Sequence, residues 1–431
     1  MENRYDKYKD SGIAWIGEIP EHWEVKRLKN VSDFNPPNDQ SISNFSEVGY
    51  LPMERLKNGY MLPSVINVYN LTQGLTFFKE NDIVMAKVTP CFENGNIAIA
   101  KNLINNCGFG SSELFIFRVR SINRKYFFYL LQEEKIKEVC KSTMIGTGGL
   151  KRISPTFMRN LLLPIPPILE QQSIATYLDQ KCGEIDELIT LQEEMITKLQ
   201  SYKQSVITEA VTKGLDKNVP LKDSGIEWIG EIPEHWNICK LKNIFLLSTG
   251  TTPKDFDQTS EEDNLINWYT PSDILDSCND LFSSQRKLSE KVIYANKISL
   301  FPIGTLLYVG IGASAGKVGY ANENGYSNQQ ITGLIPLNCY SRFYFYYLSA
   351  LKDKIRDNAF FTTLPIINNA YLGQELIPFP TLSEQQSIAN YLDQKCSEID
   401  ELISIKQQKI EKLKDYKKSL IFECVTGKRK V

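Results

Sequence analysis

Fourteen residues of this chain occur twice, 213 positions apart, with one change: Asp10–Trp23 reads DSGIAWIGEIPEHW and Asp223–Trp236 reads DSGIEWIGEIPEHW. A second segment recurs at an offset of 214, where Glu170–Thr190 matches Glu384–Ser404 at 18 of 21 positions. Between these anchors the two halves share almost nothing. A duplication that keeps two segments per copy and lets the block between them diverge implies a repeated frame carrying two different surfaces.

At 431 residues the chain exceeds the size that one hydrophobic core usually serves, so two or more domains are expected. A net charge of −2 points neither toward nor away from a nucleic-acid partner. The diverged blocks differ, with Glu24–Leu163 at +6 and Asn237–Ile377 at −1. If both bind DNA, the second must concentrate its positive charge locally. Nine scattered cysteines without a CxxC pair give no expectation of a zinc site or a disulfide framework, and fit a reducing cytoplasm. The most apolar run, Ile298–Ile311, is short and broken by Pro302, Gly304 and Gly310. No membrane span or signal peptide is expected, and the location expected is cytoplasmic.

Each copy reads as a lead segment, a variable block and a proline step into a long helix. The blocks contain short β-type runs, Asp82–Val88, Leu114–Val119 and Thr305–Ile311, separated by Gly, Asn and Pro. Each also holds an aromatic helical stretch, Arg124–Cys140 or Ser341–Asp357. That mixture predicts α/β or α+β domains. The proline steps, Leu161–Pro167 and Leu376–Pro380, suit the residues just before a helix, and Ser383 with Gln386 forms a candidate capping box. The helix that follows carries a mostly apolar stripe at alternating spacings of 3 and 4, with polar interruptions, through Ile185, Leu188, Gln192, Met195, Leu199, Tyr202 and Val206 in the first copy. In the second copy it runs through Ile399, Leu402, Lys406, Lys409, Leu413, Tyr416 and Leu420. Gly214 and Gly427 stand where C-terminal caps belong. From Glu170 to Lys213 such a helix spans about 60 Å. An internal pseudo-twofold axis would pack the two helices antiparallel as a coiled coil, with a globular domain at each end.

Three motifs suggest chemistry and do not complete it. Gly310–Lys317 resembles a phosphate loop, but the glycine spacing is wrong and Val318 follows the lysine where Ser or Thr is needed. Asn35-Pro36-Pro37-Asn38 lacks the aromatic that amino-methylating DNA methyltransferases carry in NPP[FY]. The only histidines, His22 and His235, lie in the duplicated PEHW and are expected to be packed structural residues. No catalytic set is assembled by sequence pattern, so no covalent chemistry is expected of the chain and no catalytic residue is assigned.

The WIGEIPEHW lead, the proline-to-EQQxIAxYLD entry and the LDQKCxEIDELI helix, in two ordered copies, resemble the specificity subunit of type I restriction-modification systems. The resemblance covers the whole chain. It implies target recognition domains at 24–163 and 237–377, framed by repeated regions at 1–23, 164–236 and 378–431. It also implies double-stranded DNA as ligand, read as a split asymmetric sequence with one half-site per domain. Two methyltransferase subunits and two restriction/translocase subunits are the implied partners, and they, not this chain, hold S-adenosylmethionine, ATP and magnesium.

Residues suited to base edges or phosphates are Lys87, Thr89, Asn94, Asn96, Ser111, Ser112, Lys151 and Arg152 in the first block. In the second they are Thr249, Thr251, Thr252, Lys317, Asn328, Gln329, Gln330, Asn368 and Asn369. Lys and Arg match guanine or phosphate, and Asn and Gln match adenine. Two other readings compete: a specificity chain without a nuclease partner, which neighbouring genes would reveal, and a coiled-coil scaffold binding only protein, which would give no DNA preference.

Overall fold

A computed structural model describes residues 4–38, 45–147, 149–253, 265–275, 279–296, 298–352, 354, 360–361 and 365–431. The chain forms two compact units: Met1–Glu193 with Gln407–Val431, and Glu194–Lys406. Among the described residues no helix is long and apolar enough to cross a membrane.

In unit 1 the variable block supplies strands β1 (Ser32–Phe34), β2 (Glu47–Leu51), β3 (Ile83–Ala86), β4 (Ile97–Ile99), β5 (Cys107–Gly110) and β6 (Leu114–Val119), then helix α1 (Arg124–Gln132). One antiparallel sheet has the order β1-β6-β3-β4, and in a second sheet β5 runs parallel to β2. The long helix α2 (Ile168–Lys213) follows.

The second block gives β7 (Phe245–Thr249), β8 (Leu265–Tyr269), β9 (Leu306–Val309), β10 (Val318–Ala321), β11 (Gly325–Ser327), β12 (Ile331–Pro336) and α3 (Ser341–Ala350), then α4 (Leu382–Val425). Its first sheet runs β7-β12-β9-β10 before a further strand, again antiparallel between these four, and β8 runs parallel to β11. Blocks that share little sequence therefore share topology. The reason is pattern: buried runs such as IVMA in β3 and LLYV in β9 need only apolar content and strand length.

Two expected elements are shorter than the sequence suggested. The helix expected over Arg124–Cys140 breaks at Glu133, whose extended backbone ends α1 while its carboxylate accepts from the N–H groups of Lys135 and Ile136 to start Glu134–Ser142. The stretch expected to be helical to Asp357 is helical in α3, and positions 353 and 355–357 lie outside the described residues.

The proline steps are strands. Leu162–Ile165 pairs antiparallel with Glu24–Arg27 in unit 1, and Leu376–Phe379 pairs likewise with Asn237–Lys240 in unit 2. The capping box at α4 is Thr381 with Glu384 rather than Ser383 with Gln386, because the helix starts at Leu382. Gly214 and Gly427 follow the long helices with φ of 75° and 72°, as their cap positions require.

Within each unit α2 and α4 run antiparallel. Asp186 and Lys417 pair at 2.7 Å in unit 1, and Asp400 and Lys203 at 2.7 Å in unit 2. These are the same two repeat positions used twice. Such exposed pairs add little stability and serve mainly to fix register.

The expected stripe has the wrong phase at several positions. Ile185, Ile399 and Leu420 are buried, and Leu199 and Leu413 half-buried, but Leu188, Met195, Tyr202, Leu402 and Tyr416 are 42–59% exposed. The seam instead steps 185, 189, 192, 196, 199 and 399, 403, 406, 410, 413, taking i+4 before i+3. Both phases pass through the shared positions. The β-branched Ile189, Ile196, Ile403 and Ile410 lie in the seam, while Leu188, Leu402, Tyr202 and Tyr416 turn outward.

Candidate nucleic-acid interface

Each variable block is fastened to its long helix by a clasp built from the preserved segments. In unit 1, Trp23 Nε1 donates to Glu170 Oε1 at 3.0 Å, His22 Nε2 lies 2.8 Å from Oε2, and the Tyr5 hydroxyl also donates to Glu170. In unit 2, Trp236 Nε1 and His235 Nε2 reach Glu384 Oε1 at 3.1 and 2.7 Å. The histidines thus belong to the clasps but are not buried, with side chains 49% and 44% exposed, and His22 lies against the Tyr5 ring with centroids 5.6 Å apart.

The next residue in each copy holds the block itself. Gln171 donates to the Pro166 carbonyl at 2.7 Å and accepts from the Asn123 N–H at 2.7 Å. Gln385 does the same with Pro380 at 2.9 Å and Tyr340 at 2.8 Å. Both glutamines are buried, so each bond satisfies a group that water cannot reach. Farther along, Asp179 accepts from Tyr129 at 2.9 Å and pairs with Lys125, while Asp393 accepts from Tyr346 at 2.6 Å and Arg342 at 2.8 Å. A constant carboxylate therefore meets a cation and a tyrosine on α1 or α3, although the two helices differ in sequence.

Burial disfavours ionisation of Glu384, but hydrogen bonds from Thr381, His235 and Trp236 outweigh it and hold the carboxyl down at about 2. A depressed folded value gives stability that is complete above the usual carboxylate range and lost as pH falls toward 2. Glu384→Gln is expected to be less stable than the parent at pH 6, with the difference shrinking between about pH 4.5 and pH 2. Thermal unfolding across that range checks it; a constant difference would contradict it.

The clasps leave the loop ends of the sheets outside. In unit 1 several of the sequence-selected residues meet at one corner. Lys87 Nζ donates to the Ser112 carbonyl at 2.6 Å, and Thr89 donates to the Gly149 carbonyl at 2.6 Å and accepts from the Lys151 N–H at 2.9 Å. Arg152 makes a two-pronged contact with Glu113, whose own N–H donates to Ser111 Oγ at 3.2 Å. Glu113 was not selected from sequence. Arg152 holds its carboxyl below the usual range against the opposing effect of burial, with Lys87 adding to the pull. Thr89 is buried, which suits a fastening role. Asn94 is exposed and Asn96 half-buried in the turn between β3 and β4.

In unit 2 three loops converge. Asn369 Nδ2 donates to Thr249 Oγ1 at 2.9 Å, and Thr332 Oγ1 donates to Asn369 Oδ1 at 2.6 Å. Asn328 Nδ2 donates to Gln330 Oε1 at 3.0 Å, and Thr252 donates to Gln329. The Thr251 N–H donates to Ser327, and Asn368 caps the short helix after it. Lys317 does not join them. It lies half-buried in a groove with Lys203, Lys352 and Asp400.

The phosphate-loop lookalike is an internal packing device. A Cβ on Gly310 would lie 2.8 Å from the Ile367 carbonyl oxygen, and one on Gly316 would lie 3.1 Å from Lys352. Asn35, in the incomplete NPP motif, forms a turn at φ 47° and accepts from the Ile116 N–H at 2.9 Å.

Two framed domains of one topology, each clasped to a long helix and differing in their outer loops, define a repeated recognition scaffold. A model of the type I restriction modification DNA specificity domain matches the chain twice, at 20–200 and 233–415, and the chain belongs to that family of specificity subunits. The putative type I restriction enzyme MjaX specificity subunit of Methanocaldococcus jannaschii is 26% identical over 430 residues, covering 96% of both chains. The EcoAI specificity subunit of Escherichia coli is 31% identical over 225 residues, 51% of this chain and 37% of that subunit, little more than a third of it. Among solved structures, a chain from a study of type I R-M complex assembly and conformational transition superimposes with a TM-score of 0.78 at 17% identity, covering 95% of this chain and 99% of that one. The HsdS subunit of Thermoanaerobacter tengcongensis gives 0.57 at 17%, covering 95% and 98%. At that identity the likeness is one of fold.

Proposed function

We propose that this chain reads a split, asymmetric sequence in double-stranded DNA, one half-site with residues 24–163 and the other with 237–377. The repeated segments 1–23, 164–236 and 378–431 form the frame. The observation that carries this reading is the contrast between constant clasps and different loop surfaces: Glu170 and Glu384 each hold the His and Trp of the repeated lead, whereas the outer corners share no residue pattern. A frame kept constant beneath two unlike surfaces is what two independent readers require.

The chain is non-catalytic in this reading. Two methyltransferase subunits and two restriction/translocase subunits assemble on it, and they supply S-adenosylmethionine, ATP and magnesium chemistry. The outward Leu188 and Leu402, and Tyr202 and Tyr416, support docking of a partner present in two copies, since each pair occupies one repeat position and is exposed.

The test is methylation sequencing of a host carrying the chain with its methyltransferase. A two-part motif with unlike halves and a fixed gap is expected. A continuous motif, or none, contradicts the proposal.

A further inference from the structure

Resting on the reading of the chain as a DNA specificity subunit, we infer that the second domain recognises A·T base pairs in the major groove through the neutral amide and threonine cluster centred on Gln329. The first domain's corner is held by charged groups, with Arg152 on Glu113 and Lys87 on the Ser112 carbonyl. The second domain's cluster is joined by neutral side chains only: Thr249 with Asn369 and Thr332, Asn328 with Gln330, and Thr252 with Gln329.

The backbone is arranged to bring these loops together. Gly250 sits so close to the 327–328 segment that a Cβ would lie 2.1 Å from Ser327 Oγ and 2.3 Å from the Asn328 carbonyl oxygen. Gly310 is equally confined by Ile367, and its N–H donates to the Gln330 carbonyl at 2.8 Å. No larger residue would permit this convergence, so the surface is a composite of separate loops held by contacts that only glycine allows.

The chemistry of the exposed members selects the base pair. Thr251, Thr252 and Gln329 face solvent. The Thr252 hydroxyl occupies one lone pair of the Gln329 carbonyl, which leaves the second lone pair and the amide N–H2. One acceptor beside one donor matches adenine N6 and N7, and a threonine methyl matches the thymine methyl; guanine, with two acceptors, is not matched. Asn328 and Gln330 behind it are half-buried or buried and bonded to each other, so they fix Gln329's loop rather than reach the base.

The experiment uses the complex of the full chain with its methyltransferase, and measures methyl transfer to duplexes in which each pair of the second half-site is replaced in turn. The parent complex is expected to discriminate A·T from G·C at one such position by about ten- to a hundredfold. Gln329→Ala should reduce that preference to near onefold with the first half-site read as before. Gln329→Glu, which offers only acceptors, should shift the preference at that position toward C·G. Thermal unfolding identical to the parent shows that the variants fold. Full discrimination by well-folded Gln329→Ala, or a second half-site whose discriminated positions are all G·C, overturns the inference while leaving the specificity reading standing. A parent complex with no sequence preference at all removes that reading and the inference together.

Discussion

Exchanging residues 24–163 for the matching block of a relative is expected to rewrite one half of the methylated sequence and leave the other half and the gap unchanged. The expectation follows from how the block is fastened. Gln171 holds the N–H of Asn123, a backbone group that every replacement except proline supplies. The strand Glu24–Arg27 pairs with Leu162–Ile165 through backbone bonds, which are equally indifferent to side chain. Particular side chains are asked for by Asp179, a cation at 125 and a tyrosine at 129, and by the Pro164 and Val425 carbonyls, which accept from Tyr126; the second block meets the same demands with Arg342 and Tyr346 on Asp393 and Tyr344 on Pro378. A relative that supplies this cation and these two tyrosines should therefore seat correctly. Methylation sequencing reads the outcome directly, and a change in both halves would mean that the domains do not read independently.

Replacing Trp236 with alanine is expected to destabilise the protein by about 3–5 kcal/mol, among the largest effects any single substitution should have. The indole is wholly buried, stands edge-on to Phe343 with centroids 6.3 Å apart, and closes against the cap at Gly214, where a Cβ would lie 3.3 Å from its ring. Truncation opens a cavity and removes one donor from Glu384. Trp236→Phe keeps most of the packing and loses the hydrogen bond, which points to a cost of about 1–3 kcal/mol. Trp23 stands in the corresponding place, also fully buried, and Trp23→Ala should behave alike. Chemical denaturation of the variants measures the difference. A loss below about 1 kcal/mol for Trp236→Ala would mean that the clasp is not a principal source of stability.

The repeat made the frame legible: the helices, their glycine caps and the mixed α/β blocks all follow from residue pattern. The stripe was legible in period but not in phase. A step of 3 or of 4 from Ile185 lands on Leu188 or Ile189, both apolar, and only packing against α4 decides between them. The clasp was signalled by residues visible in the sequence, since Glu170, Gln171, His22 and Trp23 all recur, yet their pairing spans 147 positions and leaves no local trace. Glu113 was missed for a related reason. Its importance comes from Arg152 and Lys87, which approach only when β6 is laid against β3. In the second block, Thr249 and Asn369 could be singled out by residue type, but their contact depends on Gly250 and Gly310, whose role is invisible until the loops meet.

The Tyr8 hydroxyl donates to the Gly427 carbonyl at 3.1 Å and Lys428 Nζ to the Glu18 carbonyl at 2.5 Å, so segments more than four hundred positions apart belong to one unit. The other unit, Glu194–Lys406, is uninterrupted in the chain and has all its residues before Gln407–Val431 is made. Its completion can begin while the leading segment still lacks the helix end that Trp23 packs on. Closing the first unit spans more than four hundred positions, which carries a larger chain-entropy cost than any local pairing. A nascent chain stalled before Gln407–Val431 is complete should hold one finished unit and one waiting unit, and that waiting unit is where premature termination would do its damage.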